Sequence, residues 1–351
     1  MINCLVEYKN ISHLNQLYTG FKFLHDANVI NLQFSKTISH LELKNKPVIK
    51  VILDDSVVIY YDSLDGFNWI DKDESSNLKY FFNTFKCDYY FKRSYNSSLE
   101  MKGLGFKVLP LGLYYNITPY FDVQKSNLIG VFKKKFKNNK LARKLLKVNR
   151  NFYTKDFENY PNLDFYSPKI LFSARLWDPS KALNKQNEFQ RKEINEFRMD
   201  IVKRLKIEFG DNFIGGISID SYSSTCLSKE YLLPFEFTNR EFYLKTMKQS
   251  AICIATTGLH NSIGGKLTEY VAASRAIITE PLHYKVPGEF KKDKNYLEFN
   301  NVEQLIDNVN LLLQNKNRLR EMMVSNSNYY NNSLRPDRLV FNTLIQTLLK
   351  F

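Results

Sequence analysis

The chain has 351 residues, 44% of them hydrophobic and 15% aromatic, which excludes a disordered protein and amounts to about two domains of material. A net charge of +14 points to an anionic partner: phosphates, nucleic acid or an acidic membrane face. The four cysteines, Cys4, Cys87, Cys226 and Cys253, lack metal or paired spacing, and neither a signal peptide nor a membrane-length apolar run is evident, so a cytoplasmic protein with reduced thiols is expected.

In the N-terminal half, residues 2–6 are predicted as a strand, 12–24 as a helix with Ser12 at its cap, and 29–34 as a second strand. Residues 48–53 and 57–61 make two further strands around the turn Asp54-Asp55-Ser56. A helix over 78–85 and strands at 89–91 and 107–111 follow. This alternation argues for an α/β domain with a mostly parallel sheet. No G-x-G-x-x-G follows the first strand, which speaks against a dinucleotide site there.

Two groups in this half could carry chemistry. Asp62-Ser63-Leu64-Asp65-Gly66 leaves a strand where α/β sheets place ligands. Asp65, with Asp62 as its alternate, is therefore a candidate general base for an acceptor hydroxyl. The same residue types also form turns for backbone reasons alone. Lys92 and Arg93 end the next strand, where they could meet a phosphate, an acidic sugar or only solvent. Asp71-Lys72-Asp73 spells D-x-D, but it stands in a polar run and is read as chance.

Residues 133–150, from Lys133 to Arg150, hold nine cations and no acidic residue, with Leu141, Leu145 and Val148 at helical spacing. A basic amphipathic helix of this kind suits an anionic membrane surface, where each cation is worth about 1 kcal/mol; a solvated helix fits the pattern as well. The polar run 151–168, punctuated by Pro161 and Pro168, is the expected linker. It gives domains over 1–160 and 161–334 and a terminal helix in 335–351. Beyond it, a strand at 169–174 leads into Arg175-Leu176-Trp177-Asp178-Pro179-Ser180-Lys181. A long charged helix over 188–209 stops at Gly210, followed by a strand over 213–219 and a helix over 243–247.

The stretch 252–280, ICIATTGLHNSIGGKLTEYVAASRAIITE, organises the C-terminal half. A buried strand at 252–255 runs through a polar turn containing His260 and Asn261 into Gly264-Gly265. A helix over 266–274 and a second strand from Ala276 follow. A helix N-terminus after a glycine turn offers N–H groups and a positive dipole end to an anion. Gly264 and Gly265 admit close approach, Lys266 adds a full charge, and Glu269 sits one turn in, within reach of a sugar hydroxyl. His260 and His283 are of second rank as ligand contacts.

The run from Gly265 through Glu269 to Ala273, then Ala276-Ile277-Ile278, resembles the donor-site helix of GT-B nucleotide-sugar glycosyltransferases of the "glycosyl transferases group 1" type. Pro287-Gly288-Glu289-Phe290, residues 295–299 and the helix over 302–313 resemble the elements that follow it there. The resemblance implies two Rossmann-like domains facing a cleft, with the terminal helix crossing back to the first. Glu269 would hold the nucleotide ribose, with Lys266 and the helix N-terminus at the diphosphate. The 174–181 turn resembles that family's "G-R-L…K", which aligns Arg175 with its diphosphate-binding arginine, and Lys181 with its lysine after a one-residue insertion. Asn261 stands where many retaining members carry a first glutamate, which leaves the stereochemistry open.

The implied reaction is glycosyl transfer from a nucleotide-sugar to a glycan, lipid-linked or protein acceptor, with no cofactor and no metal. A peripheral position on the inner membrane face goes with it. A polyol-phosphate transferase of similar architecture is the alternative within enzymes. A basic nucleic-acid-binding protein is the alternative outside them, although no recognised nucleic-acid motif appears.

Overall fold

The computed structural model describes residues 1–100, 104–119, 150–161 and 168–349. Apart from Arg150, the basic stretch 133–150 lies outside the described residues, as do 162–167 of the expected linker. The chain forms two compact units, Met1–Asp156 with Ser333–Phe351, and Phe157–Asn332.

The first unit is built on a six-stranded sheet, β1 (Ile2–Glu7), β2 (Ile30–Ser35), β3 (Val48–Leu53), β4 (Val57–Asp62), β5 (Tyr89–Lys92) and β6 (Lys107–Pro110), in the order β2-β1-β3-β4-β5-β6. Only β3 runs antiparallel to its neighbours, so β1, β4, β5 and β6 end on one edge. The β3–β4 turn works because Asp54 and Asp55 accept left-handed φ of 44° and 55°, which a short polar side chain tolerates. Strand alternation divides the apolar residues between two faces. Ile59, Tyr61 and Phe91 face a core with Phe21 of α1 (Asn15–Asp26). Tyr60 and Tyr90 face an aromatic core with Trp69, Phe81 and Phe85, under α2 (Glu74–Thr84). Asp73 is the N-cap of α2, accepting from Ser76 N at 3.0 Å and Ser76 Oγ at 2.8 Å, so the D-x-D belongs to a helix start.

The second unit has a wholly parallel sheet of β7 (Ile170–Ala174), β8 (Phe213–Ile217), β9 (Ile252–Ala255), β10 (Ala276–Thr279) and β11 (Leu297–Glu298), ordered β11-β10-β9-β7-β8. Every residue of β7, β9 and β10 is buried, as a strand covered by helices on both faces requires. The longer helices are α3 (Lys185–Phe209), α4 (Arg240–Gln249), α5 (Gly265–Ala272), α6 (Val302–Gln314) and α7 (Lys316–Tyr329). Asn184, Asn239, Asn301 and Asn315 cap α3, α4, α6 and α7 through their side chains. Both units are thus α/β with mostly parallel sheets, as the alternating pattern predicts.

The last helix, α8 (Pro336–Leu348), packs on α1 in the first unit. Gly20 permits this: a Cβ there would lie 2.1 Å from Pro336 O and 2.6 Å from Val340 Cγ2. Thr343 Oγ1 meets Tyr61 OH at 2.7 Å, and Gln16 Nε2 donates to Leu334 O at 3.2 Å. The terminal helix therefore returns to the first unit, as the sequence resemblance implies.

Candidate functional site

In the second unit the carboxyl ends of β7, β9 and β10 and the N-terminus of α5 gather four cations. Gly264 is the N-cap of α5 and brings no side chain to satisfy the first-turn N–H groups. Lys266 Nζ donates to Ser173 O at the end of β7 and to Ser173 Oγ at 2.7 Å, and lies 5.6 Å from the Tyr243 ring centroid. Burial pulls its ammonium down to about 7; Glu269 opposes this, and Arg198, Arg175 and Arg240 reinforce it. Arg175 follows β7 with its guanidinium 3.8 Å over the Trp177 ring, and its side chain is exposed.

Arg198, buried on α3, closes this edge from behind. It donates to Arg175 O at 2.7 Å, Thr256 Oγ1 at 3.1 Å and Thr257 O at 2.8 Å, bridging the ends of β7 and β9. Burial draws its pKa down to about 10, so it stays charged at neutral pH. Glu280, after β10, accepts from Thr257 N at 2.6 Å and Thr257 Oγ1 at 3.2 Å, and burial raises its pKa. Glu269 is 5% exposed. Its Oε1 accepts from Arg240 Nη2 at 2.7 Å and its Oε2 from Tyr243 OH at 2.9 Å, both from α4.

The other residues singled out from sequence are less central. Lys181 lies on the 3-10 turn Pro179–Lys181, its side chain 74% exposed and 3.6 Å from Asp178 Oδ2. His260 and Asn261 take left-handed φ of 58° and 54° in the turn before α5. The His260 N–H donates to Gln190 Oε1 at 3.3 Å, and its carbonyl accepts from Tyr284 OH at 2.8 Å.

In the first unit Asp62 and Asp65 part company. Asp62 is wholly buried and accepts from Leu64 N at 2.8 Å, Trp69 Nε1 at 2.7 Å, Tyr90 OH at 2.7 Å and Lys92 Nζ at 3.2 Å. A carboxylate filled by four donors and closed to solvent holds the β4 and β5 ends together. It cannot reach an acceptor proton, which corrects the expectation that it is an alternate base. Lys92, equally buried, belongs to the same network rather than to a phosphate. Asp65 has a side chain 43% exposed, and its Oδ1 lies 3.0 Å from Arg93 Nη1.

Arg93 sits 5.0 Å from the Tyr114 ring centroid, and His13 stacks on that ring at 5.0 Å and 13°. His13, Ser63, Arg93, Gly112 and Tyr114 are among the residues around a small open hollow with room for about one water. It lies at the carboxyl edge, where α/β sheets hold ligands. Burial and then Arg93 lower the His13 pKa, with Asp65 opposing, which favours the neutral imidazole a proton acceptor needs.

Four residues here were missed from sequence. Arg198 had a signal, since it shares the buried face of α3 with Asn195, Ile201, Val202 and Leu205 at helical spacing. Arg240, Tyr243 and His13 had none, because only the tertiary structure gives them their neighbours.

No family model matches the sequence, and no curated protein does either. Solved structures that match include the C-terminal domain of a group 1 family glycosyl transferase (LpcC) from Francisella tularensis, with 13% identity over 52% of this chain and 97% of that one and a TM-score of 0.32. HepE from Anabaena, in complex with UDP and glucose, matches with 10% identity over 84% and 71% and a TM-score of 0.43. WaaG, a glycosyltransferase involved in lipopolysaccharide biosynthesis, matches with 10% identity over 76% and 65% and a TM-score of 0.41. The first and the third of these carry the name glycosyltransferase. Likeness at this level bears no weight on function, which is read from this chain's own residues.

Proposed function

We propose that the protein transfers a glycosyl group from a nucleotide-activated sugar to a hydroxyl acceptor. The observation that carries this is the convergence of Lys266, Arg175 and Arg198 at the uncapped N-terminus of α5, with Glu269 one turn in. Such an edge suits a nucleoside diphosphate: fixed cations and helix N–H groups for the phosphates, a held carboxylate for the ribose. As the acceptor oxygen bonds the anomeric carbon, the bond from that carbon to the diphosphate breaks and negative charge builds on the leaving group. Preorganised cations favour that state over the ground state, and on this reading they serve in place of a metal ion. The proton released by the acceptor goes to a base, and the residues we put forward for that role are Asp65, 3.0 Å from Arg93, and His13, whose pKa is lowered by burial.

The acceptor on this reading is a glycan or lipid-linked sugar, with 133–150 as the contact to an anionic membrane surface. No helix among the described residues is long and apolar enough to cross a membrane. The deciding experiment is calorimetry with a panel of nucleoside diphosphates, on the parent and on Glu269→Ala. The variant should lose on the order of 1.5–3 kcal/mol of binding, the range for hydrogen bonds to a charged group. Binding of every nucleotide unchanged by Glu269→Ala would remove α5 from the donor site.

A further inference from the structure

Glu269 is nearly closed to solvent, and each of its two oxygens already holds one donor from α4. We infer that Arg240 and Tyr243 are positioning residues that aim the free side of the Glu269 carboxylate at the two neighbouring hydroxyls of a ribose, so that this pair decides how well the site tells a ribonucleotide from a 2′-deoxyribonucleotide. The inference rests on the nucleotide-sugar reading above.

A carboxylate has about four acceptor positions, two on each oxygen. Tyr243 OH takes one on Oε2 and Arg240 Nη2 takes one on Oε1, which leaves one on each oxygen for an incoming hydroxyl. Two donors on separate oxygens also stop the group from turning about its last side-chain bond, a torsion that is otherwise broad. Vicinal hydroxyls need that fixed plane, because both must donate at once to a carboxylate of one orientation.

Both donors are themselves held. The Arg240 guanidinium lies 5.2 Å from the centroid of the buried Phe157 ring, and the Tyr243 ring lies under the Lys266 ammonium at 5.6 Å. Asn239 caps α4 immediately before Arg240, accepting from Glu241 N at 2.8 Å, which fixes the turn from which the guanidinium departs. Tyr243 thus touches both the carboxylate at the ribose end and the ammonium at the phosphate end, so one ring sets the spacing between the two halves of the nucleotide site.

The test compares ribo- and 2′-deoxyribonucleoside diphosphates of the same base by calorimetry on the parent, Tyr243→Phe and Arg240→Gln, with melting temperatures alongside. The base is the one of uracil, cytosine, adenine and guanine that the parent binds most tightly. The parent should prefer the ribonucleotide by roughly tenfold or more, the worth of one hydrogen bond to a charged group. In each variant that preference should shrink to about threefold or less, through weaker ribonucleotide binding with the deoxynucleotide nearly unmoved. A merely structural role would weaken both ligands alike and leave their ratio where it was. Phenylalanine keeps the ring of residue 243, and Arg240→Gln carries the test alone if Tyr243→Phe does not fold. A parent that binds no nucleoside diphosphate defeats the functional reading itself. A parent that binds and discriminates, with variants that discriminate as well, overturns the positioning inference only.

Discussion

If a diphosphate binds beside Lys266 as proposed, its affinity should depend on pH, because the ligand-free ammonium is already pulled down in pKa. The charged and titratable groups facing it are Arg175 beyond β7, Arg198 on α3, Arg240 and Tyr243 on α4, and Glu269 on α5. With its pKa pulled down to about 7, the ligand-free ammonium is half deprotonated at neutral pH. A bound diphosphate restores the charge, and the pKa with it, towards the ordinary lysine value of about 10.4. Binding above pH 7 therefore takes up close to one proton, and affinity should fall by roughly fiftyfold between pH 7 and 9. The terminal phosphate, with a second pKa of about 6, stays ionised across that window and adds little.

Calorimetry in two buffers of different ionisation enthalpy measures the proton uptake directly, and Lys266→Met should abolish both the uptake and the slope. By the same linkage the free protein gains stability as pH rises from about 7 towards 10. There the unfolded chain binds the lysine proton and the folded chain does not. A parent whose nucleotide affinity is flat from pH 7 to 9, with no buffer dependence, would refute the placing of Lys266 at the phosphates.

Asp62→Asn leaves the Lys92 ammonium buried without its carboxylate and should cost about 3–5 kcal/mol in denaturant unfolding. Parent stability with only transfer lost would instead return Asp62 to the chemistry. Gly20→Ala drives a methyl into the Pro336 carbonyl and should destabilise by about 1–3 kcal/mol, read as a lower unfolding midpoint without loss of nucleotide affinity. Asp65→Asn and His13→Asn should each bind nucleotide as the parent does; whichever lowers turnover identifies the base, and two fully active variants would clear both. Replacing Lys133, Lys134, Lys135 and Lys137 by Gln should weaken sedimentation with acidic liposomes at low salt; equal binding to neutral liposomes would sink the electrostatic contact.

What the sequence made legible is what one segment decides for itself. The apolar runs of β9 and β10 and the helix after Gly264-Gly265 carry their own signals, and the structure has them at 252–255, 276–279 and 265–272. Helix α7 went unforeseen because KNRLREMMVSNSNY is polar and its buried residues, such as Leu319, Met322 and Met323, make only a thin stripe. The site divides along the same line. A carboxylate following a strand looks alike in sequence whether it is a base or a brace. Asp62 and Asp65 stand three residues apart in one turn, yet Trp69, Tyr90 and Lys92 close over the first while the second reaches solvent beside Arg93.

Glu269 shows the converse. By resemblance it is the expected ribose-binding group of its helix, but its partners sit 29 and 26 residues earlier, on a helix whose predicted span of 243–247 did not include Arg240. Local pattern thus locates a charged group at a strand or helix end, whereas the residues that hold it there decide what the charge can do. Those residues come from other elements. In this chain the elements that supply them are α4 for Glu269 and β5 for Asp62, which is why the same residue type ends as a ligand candidate in one unit and as framework in the other.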